Sequence, residues 1–128
     1  MKKITILIII NLILISCNNY NTKQEITVPK KFKIGEFRYS ENGEGFIVQK
    51  TMKKQIEFNI EKKYKIEFDL VWKSDNEYDM IFLGGTKGCL KIKDTINVKI
   101  VSWNKNSYSY EAFDKRCLGK SNGTLIKL

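Results

Sequence analysis

Carboxylates are the side chains in this sequence best placed for acid–base chemistry, because the chain contains no histidine. That absence excludes a histidine-dependent triad and a histidine-ligated zinc centre. Residues 55–60 and 64–72 alternate apolar and polar side chains. A three-residue loop, Glu61-Lys62-Lys63, would set Ile60 against Tyr64, Phe58 against Ile66 and Ile56 against Phe68. In that register Glu57 faces Glu67 and Gln55 faces Asp69. Two facing carboxylates push one pKa up, which is how paired acids produce a general acid. The weightier reading is a solvated face flanked by Lys54, Lys63 and Lys65. A glycosidase would also need a sugar-sized cleft, which the pattern does not supply. No catalytic residue is assigned, and the chain is read as a non-enzyme.

Three further groups could do chemistry. Asp75, Glu77 and Asp79 stand at alternate positions, yet neither the glycine bend nor the bidentate acid of a calcium loop follows. Gly84, Gly85 and Gly88 lack the Lys-Ser or Lys-Thr pair and the helix of a phosphate loop, so they mark a turn. Neither a metal nor a cofactor is expected. Cys89 and Cys117 form an even pair suited to a disulfide in an oxidising compartment, with two free buried thiols as the alternative.

The third cysteine has a different setting. Met1-Lys2-Lys3 is followed by an apolar run from Ile4 to Ile15, broken only by Thr5 and Asn11, and then by Ser16 and Cys17. A basic start, a short apolar run and a small residue at its end make a secretory signal. A membrane-spanning helix needs about 20 apolar residues, more than this run offers. Leu14-Ile15-Ser16-Cys17 looks like a lipobox, in which the signal is cut before the cysteine and the thiol carries a diacylglycerol. An N-acyl chain such as palmitate completes the anchor, since stable attachment takes more than one chain. Residues 1–16 are therefore read as signal peptide, 17–31 as lipidated N-terminus and flexible tether, and 32–128 as the folded domain.

Removing the signal leaves 112 of 128 residues and lowers the formal charge from +9 to +7. That length suits one domain. The basic field favours acidic partners in the envelope, whether protein, glycan or lipid, over nucleic acid, from which export separates it. A plain solvated lysine surface accounts for the charge equally well, and the oligomeric state is not legible.

The elements that must position these groups are strands. From Lys33 onward the apolar period is two, and no convincing helical period occurs. Asn42-Gly43 is a hairpin turn signal that sets Tyr39 against Phe46 and Phe37 against Val48. Tyr78, Met80 and Phe82 run back beside Trp72, Leu70 and Phe68. A short strand is expected over Cys89 to Lys93, and a longer one places Ile96, Val98 and Ile100 on one face. Tyr108, Tyr110 and Ala112 follow a turn, with the partner of Tyr108 left open between Ser102 and Trp103. A polar connection from Asp114 to Gly123 leads to a last strand, Thr124 to Leu128. Eight or nine such strands make an all-β antiparallel meander, best closed as a small lipocalin-like up-and-down barrel. A curved open sheet or a sandwich is the alternative. Phe37, Phe46, Phe58, Phe68, Trp72 and Tyr78 then share the inner side, where they either line an apolar ligand cavity or fill it as core.

Gly35-Glu36-Phe37-Arg38-Tyr39, Ile47 and Gln49, Gln55-Ile56-Glu57, Val71-Trp72 with Glu77-Tyr78, and Gly123-Thr124-Leu125-Ile126-Lys127-Leu128 resemble small flavobacterial lipoproteins of uncharacterised function. The resemblance covers most of the mature domain and implies a lipid-anchored β protein with no catalytic residues to carry over. Asn76 stands where those proteins often have a cysteine, so their disulfide pattern does not transfer. Asn18 after the lipidated position, and a single acid between Asn18 and Glu25, point to the periplasmic leaflet of the outer membrane. The leading expectation is an envelope lipoprotein that binds or builds through its basic surface. The alternatives are a carrier of a small apolar ligand and, further behind, an envelope hydrolase.

Overall fold

The computed structural model describes residues 26–41, 45–59, 61–86, 88–117 and 119–128. Within them the two-residue period becomes eight strands: β1 (Gly35–Tyr39), β2 (Phe46–Lys50), β3 (Lys54–Asn59), β4 (Tyr64–Trp72), β5 (Glu77–Gly85), β6 (Thr95–Trp103), β7 (Ser107–Asp114) and β8 (Gly119–Lys127). Each pairs antiparallel with the next, and β8 returns to β1 through Phe37↔Lys127, Arg38↔Ile126 and Tyr39↔Leu125. The result is a closed up-and-down barrel, as the meander reading anticipates. Closure gives every strand two neighbours and removes the edges of an open sheet.

Two registers follow the sequence expectation. Phe37 pairs with Val48, although the turn residues 42–44 lie outside the described ones. Trp72, Leu70 and Phe68 pair with Tyr78, Met80 and Phe82. A bulge between Ile100 and Ser102 settles the β6–β7 register with Trp103 opposite Tyr108.

The β3–β4 register is shifted by one residue from the expected one. Asn59, not Ile60, pairs with Tyr64, and Glu57 pairs with Ile66 while Glu67 pairs with Ile56; Ile60 itself is outside the described residues. A one-residue shift turns a whole strand over. Gln55, Glu57 and Asn59 therefore point into the barrel, and Ile56 and Phe58 point out. The cause is the turn before β3. Thr51 N–H donates to the Lys54 carbonyl (2.9 Å) and Thr51 Oγ1 accepts the Lys54 N–H (3.0 Å). That tight turn pairs Lys50 with Gln55 and Val48 with Glu57. Since directly paired residues share a face, the inward Val48 and Lys50 carry Gln55 and Glu57 inward with them.

Two other expectations are corrected. Residues 89–93 form no strand: the Lys91 N–H donates to Asp94 Oδ2 (2.7 Å) and the Asp94 N–H to the Lys91 carbonyl (2.9 Å), which makes a turn. The last strand begins at Gly119 instead of Thr124, because Lys120, Ser121 and Asn122 pair with Phe113, Ala112 and Glu111 despite their polarity. At Gly85 an added Cβ would lie 2.2 Å from the Lys65 carbonyl, so only glycine permits the close crossing of β4 and β5 beside the β4 bulge.

One end of the barrel is plugged. A 3-10 turn, Lys30–Phe32, follows Pro29 and drops Phe32 onto Tyr108, with ring centroids 5.7 Å apart; Val28 is buried beside it. The packed body thus includes Val28, ahead of the boundary at residue 32. Lys33 and the Val28 N–H both hold the Asp75 carboxylate, which fastens this segment to the β4–β5 loop.

The strand orientation predicts unequal costs for two phenylalanines. Phe68 is buried in the interior and Phe58 sits half-buried on the outer wall. Phe68→Ala should cost about 3–5 kcal/mol and Phe58→Ala under ~1.5 kcal/mol, read from urea denaturation midpoints. Equal losses would contradict the shifted register.

Candidate functional site

The barrel interior has two levels. The lower, next to the plug, is built around Lys50, the last residue of β2, whose ammonium would be the natural occupant of a solvated surface. Here only 2% of Lys50 is exposed. Its Nζ lies 3.1 Å from the Tyr78 hydroxyl and 3.0 Å from that of Tyr108, and 4.6–5.8 Å from the ring centroids of Tyr78, Tyr108, Phe37 and Trp72. Aromatic faces and hydroxyl oxygens partly replace lost water. Burial still wins and pulls the Lys50 pKa down to about 7, against a smaller upward pull from Glu57. Burial likewise raises the Tyr78 and Tyr108 hydroxyls well above the usual tyrosine range.

The upper level is a cavity of about 240 Å³. Ile66, Phe68, Met80, Ile96, Val98 and Leu125 form its apolar wall. The polar part comes from β3, through Gln55 and Glu57, with Tyr39, Tyr110, Asp114 and Ser121 around it. Gln55 Nε2 donates to Glu57 Oε1 (2.7 Å), and the Tyr39 hydroxyl also bonds to that carboxyl. Glu57 has its pKa raised by burial, opposed by those two hydrogen bonds and by the Lys50 charge. Tyr110 is pushed up to about 12 by burial and by Glu57. Glycine at 123 makes room for this ring: a Cβ there would meet the Tyr110 hydroxyl at 2.5 Å.

The amide orientation of Gln55 has a consequence. The Gln55 nitrogen faces Glu57 as the donor, and Oε1 is turned the other way. That oxygen is buried and has no hydrogen-bond partner. A buried acceptor without a donor costs about 1–3 kcal/mol.

The mouth is partly roofed by residues 88–94, from which Leu90 reaches the cavity wall. A Cys89–Cys117 disulfide, with Cα atoms 5.7 Å apart, fastens this loop to the β7–β8 turn. An Arg116–Asp94 ion pair runs alongside, and Asp114 Oδ1 accepts the Arg116 N–H (3.1 Å) to shape the turn.

The residues singled out from sequence separate in space. Phe68 and Tyr78 line the cavity, whereas Phe37 and Trp72 belong to the Lys50 box and Phe46 packs on Tyr64 at 5.2 Å. Phe58 is corrected to the outer wall by the register shift. The Glu57–Glu67 pair does not exist: Glu67 is on the outer face, with Lys65 2.6 Å away holding its pKa down. Asp75, Glu77 and Asp79 do not converge, and no metal-binding cluster occurs among the described residues. Cys17 lies outside the described residues. Sequence reasoning missed Lys50, Gln55 and Glu57 as interior groups. The parity of the Thr51–Lys54 turn, applied to the inward Val48, is the signal that finds them.

A larger depression of about 730 Å³ lies against the outer wall between Asp79, Asn97 and Phe113, with Lys73, Lys93 and Arg116 at its borders. It is larger than the interior cavity, but two of its cations are already paired, Lys73 with Asp79 (3.0 Å) and Arg116 with Asp94. The interior cavity is the better candidate because Gln55, whose buried oxygen has no hydrogen-bond partner, lines it. Protein-family models, curated proteins and solved structures offer no match to this chain. The fold and cavity alone define its class, a small closed up-and-down barrel with a half-polar interior.

Lys50 gives stability a distinctive pH dependence. Its folded pKa near 7 lies below the ordinary value of 10.5, so between those values the unfolded chain binds the extra proton. Stability therefore rises with pH across that window and the cost of burying the ammonium is complete below it. From pH 7 to 9.5 the gain should reach up to about 3 kcal/mol, and Lys50→Met should abolish it. Urea denaturation at several pH values measures both slopes; parallel slopes would remove Lys50 as the cause.

Proposed function

We propose that this chain is a binding protein of the cell envelope that holds a compact ligand inside its barrel. The observation that carries the proposal is the cavity of about 240 Å³ lined in part by Gln55, whose buried oxygen has no hydrogen-bond partner. Its volume is below the ~300–1,000 Å³ usual for drug-sized ligands, so the ligand is small. Binding through the interior is favoured over the basic outer surface because, at the 730 Å³ depression, Lys73 and Arg116 already hold the carboxylates of Asp79 and Asp94. A binding role is favoured over hydrolysis because Glu57 and Glu67 occupy opposite faces of the barrel wall.

The sequence supports export and lipid attachment at Cys17, which would hold the barrel at the outer membrane facing the periplasm. Cys17→Ser should abolish palmitate labelling and move the protein from the membrane to the soluble fraction. Unchanged labelling would end the anchor reading.

Ala112 lines the cavity and is small. Ala112→Leu should fill part of it. Organic extraction and mass spectrometry of the purified native protein should recover one small compound reproducibly, and the Ala112→Leu protein, folded by circular dichroism, should yield none. Equal recovery from both would place the compound elsewhere.

A further inference from the structure

We propose that the cavity is selective for a small primary ammonium compound with an apolar body, held by the Gln55 carbonyl and the Glu57 carboxylate against the tyrosine rings of the wall. The inference rests on the binding role above and adds the chemical class of the ligand.

Three independent features point the same way. The chain has 23 lysines and arginines, yet none of those among the described residues lines the cavity, while two acidic side chains, Glu57 and Asp114, do. In a chain so basic, a wall of acceptors is a local reversal of charge. Next, Gln55 is 2% exposed and its Oε1 has no donor. Its nitrogen is committed to Glu57, which leaves the oxygen as an acceptor for a donor from outside the chain. Third, Tyr39, Phe68, Tyr78 and Tyr110 bring aromatic rings to the same space, and ring faces attract cations. The barrel already holds one ammonium by these means, since Lys50 sits one level below among Tyr78, Tyr108, Phe37 and Trp72.

A primary ammonium fits better than a quaternary one. Its N–H groups can serve Gln55 Oε1 and Glu57 together, which a quaternary nitrogen cannot do. The apolar remainder would lie against Met80, Ile96 and Val98. An anion has no donor side chain of positive charge to meet it at this wall.

The electrostatics add a pH signature. Burial raises the Glu57 pKa, and a guest cation beside it would favour the ionised carboxylate, so binding releases a proton wherever free Glu57 is protonated. The groups facing Glu57 are Tyr39 from β1, Lys50 from β2, Gln55 beside it on β3, Tyr64 from β4, Tyr78 from β5, and Tyr108 and Tyr110 from β7. Lys50 is the one cation among them, and it loses its charge near pH 7. Amine binding therefore strengthens as pH rises from 6 to 8.

The test uses isothermal titration calorimetry of the purified full-length chain at pH 8 with benzylamine, benzyl alcohol and benzoate, three probes of nearly equal shape. Charge-assisted hydrogen bonding should make benzylamine at least about tenfold tighter than the alcohol, with no heat from benzoate. Glu57→Gln and Gln55→Met should each erase the preference for the amine, so that benzylamine and benzyl alcohol bind the variant equally. If the alcohol binds as tightly as the amine, the ammonium preference is wrong and the small-ligand role stands. If none of the three binds and Ala112→Leu changes nothing in the extraction experiment, the cavity role fails as well. If both variants retain the preference for benzylamine, the amine is held elsewhere.

Discussion

The structure depends on a parity rule. In a closed antiparallel barrel each strand has two partners, and residues paired across strands must face the same side. The short turn at Thr51–Lys54 fixes β3 against β2, and β2 is already fixed by Phe37 and Val48. Hydrophobicity alone would turn Ile56 and Phe58 inward. The turn overrides it, and a stripe of Gln55, Glu57 and Asn59 is delivered to the interior. A single strand laid against its own pattern thereby converts what would be a filled core into a polar-walled space.

The interior then has to accommodate what parity brings in. Lys50 and Glu57 are on adjacent strands but form no direct ion pair; each is held mainly by hydroxyls and amides, Lys50 by Tyr78 and Tyr108, Glu57 by Tyr39 and Gln55. Tyrosine suits this role because its ring fills space while its hydroxyl reaches the charge. Four of the six tyrosines of the chain take part in these two levels, and β7 alone contributes Tyr108 and Tyr110. The apolar residues of β4, β5 and β6 supply the remainder of the inner wall, so the polar groups are gathered on one side of the barrel.

Much of the fold was legible from period and turn chemistry. The Phe37↔Val48 register followed from Asn42-Gly43, and the β4–β5 register from the alternation flanking the 73–76 turn. The β3–β4 register is ambiguous in the pattern because both candidate registers give an alternating strand; hydrophobicity favours Ile56 and Phe58 inside, and only the pairing of β3 with β2 decides against it. The start of β8 was hidden because Lys120, Ser121 and Asn122 lack apolar character, and the strand exists through its pairing with β7. The site was legible only in part. Phe68 and Tyr78 were placed correctly by their apolar period, whereas Gln55, Glu57 and Lys50 look like surface residues to any rule that sorts by polarity.

The plug at the closed end also sets a direction. Val28 and Phe32 are buried where β1 begins, and their segment is tied to the β4–β5 loop by Asp75. The described chain therefore begins at that pole of the barrel, while the Leu90 flap and the disulfide occupy the other. If Cys17 carries the proposed anchor, the sealed pole is the end of the barrel joined to it along the chain. The rim, at the opposite pole, would then be the end left open for a guest from the aqueous side.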